Sequence, residues 1–182
     1  VAQTEITQPP VFVLGHWRSG STLLHNLITM DPQFSYVNLY QVMFPWRFLT
    51  PEKIGSMIAS PLLPKTRPMD NMECRFDLPQ EDEFALLTLG VPTPYVRMAF
   101  PNDPPPYLEF LDMQGVSERD LRRFEAALVH FVKLITFRTE RRVLLKSPPH
   151  TGRVEVLSKL FPGAKFVHIT RHPYSIYPST LK

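Results

Sequence analysis

The sequence predicts an α/β fold, a parallel sheet flanked by helices in three layers, and three observations predict it. Short apolar runs stand at 11–14, 143–145 and 166–169, each leading into a loop instead of alternating with polar residues, as strands of a parallel sheet do. The second and third runs are separated by a helical pattern between Gly152 and Phe161, a β-α-β connection that favours parallel pairing. The first run passes through Gly15-His16-Trp17-Arg18-Ser19-Gly20-Ser21-Thr22 into another helical pattern. That is a P-loop-like arrangement, in which a strand, a glycine-bearing turn and a helix N-terminus close around an anion.

The elements follow in order. After the first strand, a helix is expected from about Gly20 to Met30 with Leu23, Leu24, Leu27 and Ile28 as its apolar face, closed by Asp31-Pro32. The stretch from Phe34 to Met69, broken by Pro45, Pro51, Pro61 and Pro64, reads as irregular cover over a site. Residues 84–106 are again proline-broken and aromatic, with Tyr95, Phe100 and Tyr107 nearby, and read as an acceptor pocket or as lid packing. The clearest helix starts at Ser117 as N-cap and places Leu121, Phe124, Leu128, Phe131, Val132 and Ile135 at helical spacing. The strand Arg142–Lys146, the 152–161 helix and a buried strand at 165–170 follow, and Arg171-His172-Pro173 opens a last helix over 174–181.

Composition sets bounds on function. With 182 residues and 43% hydrophobic content the chain suits one domain, residues 1–182, with a real core. Twenty basic against 17 acidic residues leave a net charge of only +3, and no basic run with interleaved aromatics points to nucleic acid. A single cysteine, Cys74, excludes an internal disulfide or a thiolate metal cluster. No His pair stands at metal-ligand spacing with an acid, so no metal is expected. No apolar stretch is long enough to span a bilayer and no signal pattern opens the chain, which fits a cytoplasmic setting or a parent anchored further upstream.

The loop indicates what kind of anion it holds. Gly20 lets the backbone approach a ligand closely, Ser21 and Thr22 add hydroxyl donors, and the helix dipole adds positive potential. The spacing Gly15, four residues, Gly20, Ser21, Thr22 overlays the nucleotide P-loop, except that Ser21 stands where that loop has its lysine. The loop's fixed charge is Arg18, ahead of the glycine, a poor match to magnesium–ATP chemistry.

This strand, Arg18-Ser19-Gly20-Ser21-Thr22 and helix resemble the 5'-phosphosulfate loop of sulfotransferases that use 3'-phosphoadenosine 5'-phosphosulfate (PAPS). Further along, the strand ending before Arg171, then Pro173 and a helical Ser179 eight residues after Arg171, resemble the same family's 3'-phosphate site. Arg142-Val143-Leu144-Leu145-Lys146 is similar to its strand that brings a lysine to the sulfonate. The resemblance implies a sulfonate transfer from PAPS to a hydroxyl of a small molecule, lipid or sugar. Arg18, Ser19, Gly20, Ser21 and Thr22 would hold the 5' end, Arg171 and Ser179 the 3'-phosphate, and Lys146 the transferring group. The base departs from two branches of the family. Pro148 stands where cytosolic members carry a histidine after the strand lysine, and no acid occurs around Asn38-Leu39-Tyr40, where tyrosylprotein members carry a glutamate. Pro79 followed by Glu81-Asp82-Glu83 and the apolar run Phe84-Ala85-Leu86-Leu87 resembles the bacterial-type branch. That makes Glu81 and Glu83 the candidate bases, with His150 as runner-up and His16 and His168 as structural residues. The chain ends at Thr180-Leu181-Lys182 inside a helical pattern, where the family continues into a further cofactor-contacting loop, so it reads as a fragment. Two rival readings stay open: a P-loop kinase-like phosphotransferase, and a non-catalytic, truncated nucleotide-binding member of the family.

Overall fold

The structure is a computed structural model that describes residues 1–47, 52–66 and 73–181. Pro51, Met69 and Lys182, used in the sequence reading, lie outside the described residues. The elements run β1 (Val11–Leu14), α1 (Ser21–Ile28), β2 (Phe34–Tyr36), α2 (Leu39–Met43), α3 (Glu52–Ala59), α4 (Glu83–Thr88), α5 (Glu118–Thr139), β3 (Arg142–Lys146), α6 (Val154–Leu160), β4 (Lys165–His168) and α7 (Pro173–Thr180). Short 3-10 turns at Pro94–Met98, Leu108–Leu111 and Pro148–Gly152 matter for the site.

The sheet has four strands in the order β2-β3-β1-β4, every pairing parallel. Val11 lies opposite both Leu144 and Lys165, so β1 is central and the carboxyl ends of β1, β3 and β4 open on one edge. Alternation along the strands divides the core. Phe12, Leu14, Val143 and Leu145 face Phe124, Leu128, Phe131, Val132 and Ile135 of α5, whereas Val11, Val13 and Leu144 face Leu24 and Ile28 of α1. Helices therefore cover both faces, as expected of a three-layer α/β fold. The long helix α5 starts where Ser117 accepts a hydrogen bond from Asp120 N at 3.1 Å and ends at Glu140 in the left-handed region.

Three expectations change. A fourth strand, β2, lies inside the stretch read as irregular: it is three residues long, with buried Ser35 at its centre, so it has no apolar run to show. The expected apolar face of α1 is split, because Leu23 and Leu27 are exposed while His25 is buried against the sheet. Strand β4, read as buried, is an edge strand with Lys165, Val167 and His168 exposed.

Candidate active site

Three loops meet at the carboxyl edge of the sheet, where open α/β sheets hold their ligands. The first is the glycine loop. Gly15 leaves β1 with its N–H bonded to Thr151 Oγ1 at 2.9 Å, and a Cβ on it would sit 2.8 Å from both Ile169 Cγ2 and Ser19 Oγ. Only glycine lets β1 and the chain after β4 come this close. Gly20, at φ +101°, is the N-cap of α1, and no side chain caps that helix. The first-turn N–H groups thus face the loop unshielded. Ser19 Oγ is buried without a partner, a polar atom left for an incoming anion. Arg18 itself holds the left-handed conformation, φ +66°, a strain of the sort found where a backbone is shaped for a ligand.

The second loop follows β4. Arg171 Nη1 donates to the Arg18 carbonyl at 3.0 Å, and Arg18 Nε donates to the Ser179 carbonyl and to Ser179 Oγ, each at 3.0 Å. Arg18, Arg171 and Ser179 are thus gathered at one exposed place. Their connectivity differs from the expected clasp, since Ser179 meets the loop arginine and Arg171 meets that arginine's backbone. His16, expected to be structural, is exposed and borders a hollow with Pro173, Ile176, Tyr177 and Thr180 of α7.

The third contribution joins β3 to the acidic turn before α4, and here three consecutive carboxylates take three different basic side chains. Glu81 Oε1 accepts from Lys146 Nζ at 2.5 Å, Asp82 Oδ2 meets His150 Nε2 at 2.6 Å, and Glu83 accepts from Arg153 Nη1 and Nη2 at 2.6 and 2.9 Å. Ser147 is wedged between them, accepting from Glu83 N and donating to Asp82. The first pair borders a cavity. About 200 Å³ in volume, that cavity is bordered by Arg18, Ser21, Thr22, Glu81, Tyr95 and Lys146 among others. Lys146 Nζ also donates to Thr22 Oγ1 at 3.0 Å, which ties the end of β3 to the helix that starts the glycine loop.

Glu83 and His150 are elsewhere. Both are fully buried behind the cavity wall: Glu83 is locked by Arg153 and Thr93, and His150 sits edge-on against Phe12. Burial works to raise the Asp82 carboxyl, but the charge and hydrogen bond of His150 and the hydroxyl of Ser147 outweigh it and hold Asp82 below its usual range. Under Lys146, burial and the lysine's own charge pull the His25 imidazole down to about 3, so His25 is neutral near pH 7.

The sequence reading missed Arg153, and it named Tyr95 only as one aromatic of an acceptor pocket or lid. Tyr95 hydroxyl donates to Glu81 Oε2, so that carboxylate is gripped from both sides. Lys146, His150 and Arg153 stand at i, i+4 and i+7 across the turn after β3. Lys146 lies on β3 and the turn after it is 3-10, so no helical face joins the three, and no local signal pairs them with an acidic triplet 65 to 70 residues away. A second hollow of about 420 Å³ adjoins the first, shares Trp17, Tyr95 and Met98 with it, and is walled by Pro94, Pro101, Pro105, Leu108 and Leu111.

A family model described as Sulfotransferase family matches residues 9–182, nearly the whole chain. The chain belongs to the sulfotransferase family. Two relatives, each named omega-hydroxy-beta-dihydromenaquinone-9 sulfotransferase Stf3, from Mycobacterium bovis and Mycobacterium tuberculosis, are 44% identical to it over 181 residues. Those alignments take in 100% of this chain but 46% of each relative, so the chain spans about half the length of the curated relatives it matches. Among solved structures, sulfotransferase STF9 from Mycobacterium avium superposes with a TM-score of 0.64 at 22% identity, over 93% of this chain and 44% of that one. Sulfotransferase STF1 from M. tuberculosis H37Rv gives 0.62 at 16% identity, over 90% and 46%. These likenesses show that the parallel sheet with its flanking helices is the fold of that family. No group of residues fit to hold a metal ion occurs among the described residues, and no described helix is long and apolar enough to cross a membrane.

Proposed function

We propose that this chain forms the donor-binding and base-bearing part of a PAPS-dependent sulfotransferase whose acceptor is a hydroxyl on a small molecule, lipid or sugar. The observation that carries the reading is the meeting of Lys146, Glu81 and Thr22 at the mouth of a glycine loop with an uncapped helix. The orphaned Ser19 Oγ and the side-chain-free Gly20 fit a bound phosphosulfate.

Bound PAPS supplies an activated sulfonate: its sulfur–oxygen bond to phosphate breaks as the acceptor oxygen bonds to sulfur, and the bisphosphate leaves with the bonding electrons. The chain's own residues supply the rest. Arg18, Ser19, Gly20, Ser21 and Thr22 bind the 5' end through N–H groups, hydroxyls and the guanidinium. Arg171 and Ser179 bind the 3'-phosphate, with Arg18 as the hinge between the two phosphate sites. Lys146 offsets the negative charge that gathers on the leaving oxygen. Glu81, the acid that borders the cavity, takes the acceptor's proton. Glu83 and His150 are placed too deep for that role and act instead by seating the acidic turn on β3.

The relatives' names specify an omega-hydroxy-dihydromenaquinone as acceptor. The apolar hollow next to the Glu81–Lys146 cavity suits such a molecule, its hydroxyl beside Glu81 and its hydrocarbon along Trp17, Met98 and Leu108. Calorimetry with 3'-phosphoadenosine 5'-phosphate and with 5'-AMP tests the donor assignment. The wild type is expected to prefer the bisphosphate by at least tenfold, and Arg171→Ala is expected to abolish that preference. Equal affinity of the wild type for both nucleotides would overturn the reading.

A further inference from the structure

Lys146 has two demands on it. Its side chain is 4% exposed and Glu81's is 18% exposed, and in the described arrangement the ammonium spends its bonds on Glu81 Oε1 and Thr22 Oγ1. The proposed reaction needs the same ammonium at the sulfonate, and it needs a Glu81 oxygen turned to the acceptor hydroxyl. The closed pair works against both, because two of the ammonium's three N–H groups are committed and each Glu81 oxygen already holds a donor, Oε1 the lysine and Oε2 Tyr95.

The geometry points to an exchange: we propose that the Glu81–Lys146 pair is a latch that the donor opens, with Tyr95 as the positioning residue that keeps Glu81 in place when its lysine is drawn away. This rests on the donor assignment made above. The sulfonate competes with Glu81 for Lys146. The freed Oε1 faces the cavity while Oε2 stays bonded to the Tyr95 hydroxyl. Tyr95 suits that task. It is 3% exposed and packs edge-on against Phe84 at 5.1 Å. Burial and the neighbouring Glu81 and Glu83 charges push its phenol far up, so it remains a donor at any working pH. Deprotonation of the acceptor is thereby tied to the presence of the donor. The step is balanced: the proton of the hydroxyl ends on Glu81 Oε1, and the negative charge of the leaving bisphosphate meets Lys146.

The test is a binding cycle, which needs no turnover. Affinities for PAPS and for 3'-phosphoadenosine 5'-phosphate are measured by calorimetry in the wild type, Glu81→Gln, Lys146→Met and the double variant. The latch predicts that Glu81→Gln tightens PAPS binding by about fivefold or more, and by less than about twofold when Lys146 is already Met. The bisphosphate presents its leaving oxygen to the same ammonium, so any tightening it gains from Glu81→Gln must likewise vanish when Lys146 is Met. Equal tightening with lysine present or absent, for either nucleotide, would mean simple charge repulsion and would overturn the latch. Lys146→Gln, which keeps a polar head, gives the same comparison where Lys146→Met does not fold. Tyr95→Phe keeps the ring and is expected to lower kcat about tenfold at unchanged donor affinity, and to have no further effect in Glu81→Gln. An unchanged kcat would remove Tyr95 from the scheme. The two readings fail differently. A wild type that does not prefer the bisphosphate over 5'-AMP sinks the donor site itself, whereas normal bisphosphate binding without lysine-dependent coupling sinks only the latch.

Discussion

The two halves of the site are built on opposite principles. On the loop side Arg18 and Arg171 are exposed and Ser179 is half-buried, their mutual bonds go partly to backbone carbonyls, and α7 has no buried residue at all. On the acid side Asp82, Glu83, His150 and Arg153 are fully buried and bonded pairwise across roughly the width of the turn after β3. Exposed charges lose little by letting go of one another, since each is resolvated, and so can be recruited by an incoming phosphate. Buried charges cannot separate without leaving one of them bare, so they fix geometry. Glu81–Lys146 lies on the border between the two regimes, the position that the proposed latch requires.

The contrast can be broken most forcefully from the buried side. Arg153→Met leaves Glu83 uncompensated and removes the guanidinium from over the Phe124 ring, 4.9 Å from its centroid. It is expected to cost about 3–5 kcal/mol in urea unfolding, with much of that recovered when Glu83→Leu is added. A cost below about 1 kcal/mol would show that the buried pair is not what holds the acidic turn.

A middle-sized effect comes from His25. In the unfolded chain its imidazole takes a proton near 6.5, in the folded chain not until about 3. Its folded pKa is depressed, so its contribution is intact above pH 6.5 and is lost as pH falls from 6.5 toward 3, at up to about 1.4 kcal/mol per pH unit. Unfolding free energies at pH 7.5, 6.5 and 5.5 are expected to fall in the wild type and to be flatter in His25→Gln. Parallel curves for the two proteins would place the pH dependence elsewhere.

The smallest effect sharpens the comparison from the exposed side. Arg171→Ala is expected to change stability by no more than about 0.5 kcal/mol, because it removes a surface group, even as it erases nucleotide preference. A thermal melt distinguishes that outcome from a structural role for Arg171, which would lower Tm by several degrees.

Much of the glycine-loop side was legible in the chain as structure, because its determinants are local. The glycine loop, the helix behind it, Lys146 at the end of β3, and the run from Arg171 into the helix that carries Ser179 are each patterns of residues close together in sequence. The acid side was half legible. The triplet Glu81-Asp82-Glu83 is conspicuous, but its members are equivalent on paper, and the structure separates them by giving each its own partner 65 to 70 residues away. Tyr95 was one aromatic among several in a proline-broken stretch, and β2 was too short and too polar at its centre to register.

Apolar runs, glycines at positions of special backbone geometry and helical periodicity are properties of neighbours along the chain, so the sequence by itself determined the parallel α/β architecture and the glycine loop between β1 and α1. Which acid faces the cavity, which histidine is neutral beneath the lysine, and that the loop arginine bonds Ser179 were decided only when the sheet brought β1, β3 and β4 side by side. Desolvation and charge pairing act through space, and they take effect only once folding has set the distances.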